Sequence, residues 1–277
     1  MTCSRNRASR LAAFMEAMDS AGIDGVTKEL VLVDNASTDD TFERFTAWAA
    51  RNPGIKVVQE PKPGLGRARN TGWKAASGKI IVMTDDDCYV QPGFLDLWLS
   101  VFRENPEIGW SGGKILLHDP LDEPVGIDEW PDIRRYPLGT YLYCGAIQGA
   151  NFAFRREVLE KIGGFDERMG AGTPYACEDI DAVSRASHCG YPGMYDPRPT
   201  VRHHHGRRNG TGTQYAGNIY ASGTGAYHAK CILTPGMRWL YLRPFLARIK
   251  HYPISQSKME IAGAWSWWRR AHGRAST

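Results

Sequence analysis

Apolar positions follow two alternating periods over the first half of the chain. Leu11, Phe14, Met15 and Met18 recur at helical spacing, and Gly22 follows as a stop. Residues 29–33, ELVLV, form instead a short continuous apolar run ending in Asp34-Asn35, the pattern of a buried strand entering a loop. Ser37-Thr38-Asp39-Asp40 then supplies the side-chain oxygens that a first helical turn needs, with Phe42, Phe45 and Trp48 along one side of the helix. IKVV (55–58) predicts the next strand, and Pro61, Pro63, Gly64 and Gly66 punctuate the loop behind it. A helix through 68–76 leads into KIIVMT (79–84), the most hydrophobic strand of the set, which stops at Asp85-Asp86-Asp87.

Strands alternating with helices of this length predict βαβ units, and so an α/β fold on a mainly parallel sheet. Ligands of such sheets sit beyond the carboxyl ends of the strands, which puts Asp34-Asn35 and the Asp triplet at one edge. Residues 119–137 are rich in proline and acid and read as a loop or flap. GANFAFRREVL (149–159) alternates like a strand and runs into a helix, and Glu178-Asp179-Ile180-Asp181 opens another. From about residue 213 three helical segments are expected, broken at Pro235 and Pro253.

Composition changes this picture in one respect. Over 277 residues, 42% hydrophobic and 23% charged positions exclude wholesale disorder, and no apolar run of about 18 residues predicts a spanning helix. The net charge of +4, however, averages two opposite parts. Residues 198–277 hold 13 Lys+Arg against a single acid, Glu260, whereas residues 1–197 hold 21 bases and 29 acids. Six cysteines without a C-x-x-C pair argue against a disulfide scaffold or a cysteine zinc site. With no apolar leader after Met1, they predict reduced thiols in a cytoplasmic protein, with a peripheral membrane position left open.

Three acidic or basic clusters carry candidate chemistry. Adjacent carboxylates at 85–87 repel one another unless one caps a helix into water or a hard cation such as Mg²⁺ or Mn²⁺ compensates them. Glu178-Asp179-x-Asp181 either complements a helix dipole or presents a general base. His203-His204-His205 is either a solvated run or offers one imidazole to a metal such as Mn²⁺. The segment GLGRARNTG (64–72) sets glycines and two arginines at a loop-to-helix junction, which suits phosphate. No Walker lysine pattern, G-x-G-x-x-G after a first strand or G-x-S-x-G elbow is present, which argues against kinase-like, dinucleotide-binding and serine-hydrolase chemistry. A metal-dependent phosphohydrolase would use the Asp triplet and the His run but lacks a clear second carboxylate motif. Nucleic-acid binding finds a basic half but no zinc-finger, helix-turn-helix or RRM pattern.

Five segments in register resemble family 2 glycosyltransferases of the GT-A fold: CSRNRASRL (3–11), LVLVDNASTDDT (30–41), GLGRARNTGWKAASGKIIVMTDDDC (64–88), GANFAFRREVLEKIGGFDE (149–167) and GAGTPYACEDIDAVSRA (170–186). The resemblance covers most of residues 3–205 and implies an inverting, metal-dependent transfer of a sugar from a nucleotide diphosphate sugar, with UDP the first choice, to a hydroxyl acceptor such as a growing glycan or a lipid-linked sugar. It implies nucleotide contacts from Asn6, Asp34, Arg69, Asp85 and Asp86. It further implies a base at Asp179 supported by Glu178 and Asp181, a sugar pocket lined by Gly149, Ala150 and Asn151, and Mn²⁺ or Mg²⁺ held by Asp87, Asp85 and one of the histidines, His203 or His205. A catalytically inactive sugar-nucleotide binder is the alternative within the family, and the Glu178-Asp179 pair argues against it.

Two expectations concern the ends. The family opens on an apolar strand in mid-sheet, whereas only Met1-Thr2 precedes CSRNR here, so that strand is expected to be missing and the native chain longer. Residues 1–210 are expected to form the catalytic domain and 211–277 a helical, basic extension. Its Trp239, Trp265, Trp267 and Trp268 among arginines suit either an anionic membrane or acceptor, or packing on the catalytic domain.

Overall fold

A computed structural model of the chain describes residues 1–24, 27–210 and 219–272. Helices cover both faces of a central β-sheet. Three parallel strands stand in the order β3 (Ile55–Gln59), β2 (Leu30–Asp34), β1 (Thr2–Ser4). The rest of the sheet runs β4 (Ile80–Thr84), β8 (Asn151–Arg155), β6 (Trp110–Leu117), β9 (Gly193–His203), β5 (Cys88–Val90), with β7 (Arg134–Tyr136) also on β9. This second part is mixed: β8 is antiparallel to both β4 and β6, while β6 and β9 are parallel.

The first strand, expected to be missing, is present. Thr2, Cys3 and Ser4 pair in parallel with Leu32, Val33 and Asp34, so β2 is bonded on both sides. Met1 then joins the two parts of the sheet. Its amino group donates to the Val82 carbonyl at 2.6 Å, and its carbonyl accepts from the Thr84 amide at 3.3 Å.

Period-two alternation sorts the strand residues between two cores. Leu30 and Leu32 face α1 (Leu11–Asp19), α2 (Thr41–Ala49) and α4 (Phe94–Glu104), whose Phe14, Trp48 and Trp98 fill that side. Ile81, Met83, Phe152 and Phe154 face the other way, toward Trp73 of α3 (Leu65–Ala75) and toward α5 (Arg156–Ile162) and α6 (Glu178–His188). Residues 119–148 between β6 and β8, apart from β7, are largely irregular, as their proline content predicts.

The C-terminal helices are α7 (Ala221–Leu233), α8 (Arg238–His251) and α9 (Ile254–His272), broken near Pro235 and Pro253. The proposed division at 210/211 falls at the edge of residues outside the description. Tyr227, Tyr241 and Trp267 of these helices belong to the same buried cluster as Phe152 and Ile180. Helices α7 and α9 cross where Gly225 meets the Glu260 carbonyl and Gly263 meets the Ser222 carbonyl. A Cβ at either glycine would lie within about 2.1 Å of that oxygen, so only glycine permits the crossing.

Candidate active site

The carboxyl ends of β1, β2 and β4 open onto one cleft. Asn6, in the left-handed conformation at φ 54°, ties the loop after β1 to the loop after β2: its Oδ1 accepts from the Thr38 amide at 2.8 Å, and its own amide donates to Ser37 Oγ. Asp34 ends β2 almost fully buried. Its Oδ2 accepts from Gln59 at 3.3 Å, and its Oδ1 has no protein partner. An unsatisfied buried acceptor is costly unless a ligand N–H meets it.

The Asp triplet is divided among three environments. Arg7 holds two of its members, with Nε 3.2 Å from Asp86 and Nη2 3.0 Å from Asp87. Burial pushes Asp86 up to about 7 despite Arg7. Burial also acts to raise Asp87, but the hydrogen bond and charge of His203, with Arg7 and Arg207, outweigh it and hold the carboxyl low. His203 Nε2 lies 3.3 Å from Asp87, and this pairing raises the imidazole against the opposing effect of its own burial. Asp85 lies deep among protein atoms yet keeps about a third of its side-chain surface open to the cleft. Its pKa is raised by desolvation, against the pull of Arg69 3.6 Å away.

Asp87 and His203, with the Cys88 thiol, form a group whose donor atoms all lie within 4.8 Å of one another. A carboxylate oxygen beside an imidazole fits Mn²⁺ better than Mg²⁺, which prefers oxygen ligands alone. Burial pushes the Cys88 thiol well up, which disfavours the thiolate a metal would need and leaves Asp87 and His203 as the fitting pair. The His205 ring lies edge-on to that of His203 with centroids 5.1 Å apart, but its Nε2 meets the Glu123 carbonyl at 2.9 Å and its Nδ1 accepts from the Arg207 amide, so both ring nitrogens are engaged with other partners. His204 turns to Tyr89, whose hydroxyl is 3.1 Å from its Nδ1. A hollow of about 340 Å³ beside Asp86 and Asp87 is lined by these two residues and by Ser9, Arg10 and Ala13 of the α1 region.

Beneath the cleft Arg69 joins the two acidic motifs. Its Nη1 donates to Glu178 at 2.6 Å, its Nη2 donates to the Gly149 carbonyl at 3.0 Å, and its guanidinium lies 5.0 Å from the Phe152 ring centroid. It is only 3% exposed. A Cβ on residue 149 would come within 2.6 Å of Nη2, so glycine there lets the guanidinium approach. The expected place of Arg69 is beside a nucleotide; in the structure it neutralises acids from below. Arg67 is paired with Glu167 at the surface.

Glu178 and Asp179 head α6 with different surroundings. Burial pushes Glu178 up to about 7, with Arg69 opposing and Asp179 adding to the shift. Asp179 is partly open, and each of its oxygens accepts one backbone amide at 2.7 Å, Gly149 N on Oδ2 and Ile180 N on Oδ1. Burial still raises it, against Arg69 and those two amides. Asp181, expected as support for the base, faces away. It is buried on the far side of α6 between Arg185 at 2.8 Å and Lys230 of α7 at 2.7 Å.

Of the three residues expected around the sugar, Gly149 holds Asp179, and the Ala150 carbonyl accepts from Thr84 Oγ1 at 2.9 Å. Asn151 is fully buried and does not line the cleft. Its amide donates to the carbonyls of Lys114 and Pro199, pinning the irregularity where the β6–β9 register shifts.

A model of the family described as "Glycosyl transferase family 2" matches residues 1–163, more than half of the chain. The chain belongs to glycosyl transferase family 2. A dolichol-phosphate mannosyltransferase of Pyrococcus furiosus is 26% identical over 169 residues, covering 57% of this chain and 46% of that protein. The O-antigen chain rhamnosyltransferase WbaN of Salmonella anatum is 27% identical over 190 residues, covering 64% and 56%. The chain thus spans about half or less of the length of most curated relatives it matches. Among solved structures, the mannosyltransferase PcManGT of Pyrobaculum calidifontis, in complex with GDP-Man and Mn²⁺, superposes with a TM-score of 0.63 at 19% identity, covering 99% of this chain and 81% of that one. S. aureus TarS 1–349 with UDP-GlcNAc superposes at 0.66 with 14% identity, over 99% and 81%. These likenesses establish the GT-A fold.

Arg7, which holds Asp86 and Asp87, is the residue beside these motifs that sequence reasoning missed. A basic residue just past β1, at the edge where the Asp triplet ends β4, is the signal that would have drawn attention to Arg7.

Proposed function

We propose that this family 2 chain is an inverting glycosyltransferase that moves a sugar from a nucleotide diphosphate sugar to a hydroxyl acceptor, with Asp179 as the base. The observation that carries the reading is the Arg69 bridge. It ties Asp85, just after β4, and Glu178, at the head of α6, to one cation, which supports a reading in which nucleotide and base meet there.

The donor's base meets the orphaned Asp34 Oδ1, which suits a ring N–H such as the imide of uracil. GDP-Man and UDP-GlcNAc, the ligands named for the two solved relatives, both carry such an N–H, and we favour UDP. Asp87 and His203 would hold Mn²⁺ or Mg²⁺, which when bound neutralises the diphosphate as it departs. Asp179 accepts the acceptor's hydroxyl proton while that oxygen forms its bond to the anomeric carbon. The bond from the anomeric carbon to the diphosphate breaks on the opposite face, and its electron pair leaves with the nucleoside diphosphate. The Gly149 and Ile180 amides fix the carboxylate's orientation, and its raised pKa brings the base closer to working pH. A growing glycan or a lipid-linked sugar is the acceptor class.

Asp179→Asn tests the assignment. Turnover of UDP-sugars falls by about 10² to 10⁴ with nucleotide-induced thermal stabilisation retained. Unchanged turnover in that variant would remove Asp179 from the mechanism.

A further inference from the structure

Helices α8 and α9 each carry an exposed stripe of mixed apolar and basic residues. On α9, Ile254, Lys258, Ile261, Trp265 and Trp268 recur every three or four positions and lie on one face about 21 Å long. Ile254 is 75% exposed and Trp265 57%, and the Trp265 and Trp268 rings stack at 4.9 Å. The opposite face, with Ser257, Glu260, Gly263 and Trp267, is the one that packs inward. On α8 the same spacing sets Trp239, Arg243, Leu246 and Lys250 outward, with Trp239 70% exposed.

The sign of charge selects what can cover this surface. Arg243, Lys250, Lys258 and Arg269 are all exposed. The lone acid of the two helices, Glu260, is buried and forked to Arg248 at 2.7 and 3.2 Å, so it offsets none of them. A second copy meeting this face would set cation against cation. An anionic bilayer surface complements both components: Trp and Ile enter the headgroup boundary, and the basic side chains reach anionic headgroups along their apolar stems. No helix of the described residues is long and apolar enough to cross the bilayer, so the contact is interfacial.

We propose that the outer faces of α8 and α9 dock the protein on an anionic lipid bilayer. The inference does not depend on the sugar-transfer reading. The test sediments the full chain with vesicles of phosphatidylcholine alone and of phosphatidylcholine with phosphatidylglycerol. Binding is expected to the anionic vesicles and to be weakened by high salt. Lys250→Glu with Lys258→Glu lowers partitioning roughly thirtyfold or more, and Ile261→Ser with Trp265→Ser lowers it about tenfold or more, both with an unchanged melting midpoint. Equal binding to neutral and anionic vesicles, or to neither, overturns the proposal. So does a dimer in sedimentation velocity that Trp265→Ser dissociates, since the stripe would then belong to a second copy.

Discussion

Arg69→Met isolates the cation that joins the two acidic motifs. Methionine keeps an apolar stem but removes the guanidinium, and with it the cation that lies over the Phe152 and Phe165 rings. Glu178, 6% exposed, then loses its 2.6 Å partner, while Asp85 can still draw on the solvent that reaches about a third of its side chain. Breaking one side of a buried ion pair typically costs about 3–5 kcal/mol, because the remaining charge is left uncompensated. At about 2–4 °C per kcal/mol, the melting midpoint falls by roughly 10 °C. Glu178 already titrates up at about 7 with Arg69 opposing the shift; without Arg69 it rises further and is protonated at neutral pH. Glu178→Gln removes the carboxyl that must otherwise take up a proton on folding, so the double variant recovers about 2 kcal/mol relative to the sum of the singles. Chemical denaturation of the wild type, both singles and the double closes this cycle. Additive singles, or an Arg69→Met protein of normal stability that has lost only donor affinity, would refute the linchpin role and return Arg69 to the nucleotide.

Other perturbations test separate parts of the molecule. Gly149→Ala drives a methyl group into the Arg69 guanidinium and should cost about 1–3 kcal/mol by thermal melting. His203→Ala should weaken Mn²⁺ binding about tenfold or more by calorimetry, whereas His205→Ala should leave it intact and loosen only the segment around Glu123. Buried His228 donates from Nδ1 to the Thr224 carbonyl and accepts from Tyr141, and burial lowers its pKa to about 4. The unfolded chain takes up that proton near 6.5 and the folded one does not, so stability is lost as pH falls from about 6.5 to 4, by on the order of 3 kcal/mol. His228→Gln should flatten that part of the stability–pH curve; an unchanged slope rejects the assignment. Glu178 and Asp86, both raised to about 7, have the opposite sign: the metal-free protein should lose stability as pH rises from about 4 to 7, and Mn²⁺ with a nucleoside diphosphate should offset the loss.

What the sequence concealed has identifiable physical causes. Strand β1 escaped notice because two of its three residues, Thr2 and Ser4, are polar yet 1% and 3% exposed, so no apolar run marks it. The continuous apolar run of β2 and the two strand ends carrying Asp34 and Asp85 were legible because both signals are local. The three histidines were not separable by residue type: β9 ends at His203, and only this one is carried beside Asp87 by its pairing with Cys88 on β5. Asp181 was separable. Two residues along a helix are about 200° of rotation, so a helix that opens at Glu178 cannot present Asp179 and Asp181 to the same cleft. The partner that explains Asp181 was beyond local reading, because Lys230 lies on α7 and bridges to both Asp181 and Asp166. Helix α6 is therefore held at its head by Arg69, from the sheet side, and on its flank by Lys230, from the basic C-terminal part. The acidic and basic halves of the chain are thus neutralised partly against each other, and the helix bearing the candidate base is one place where they meet.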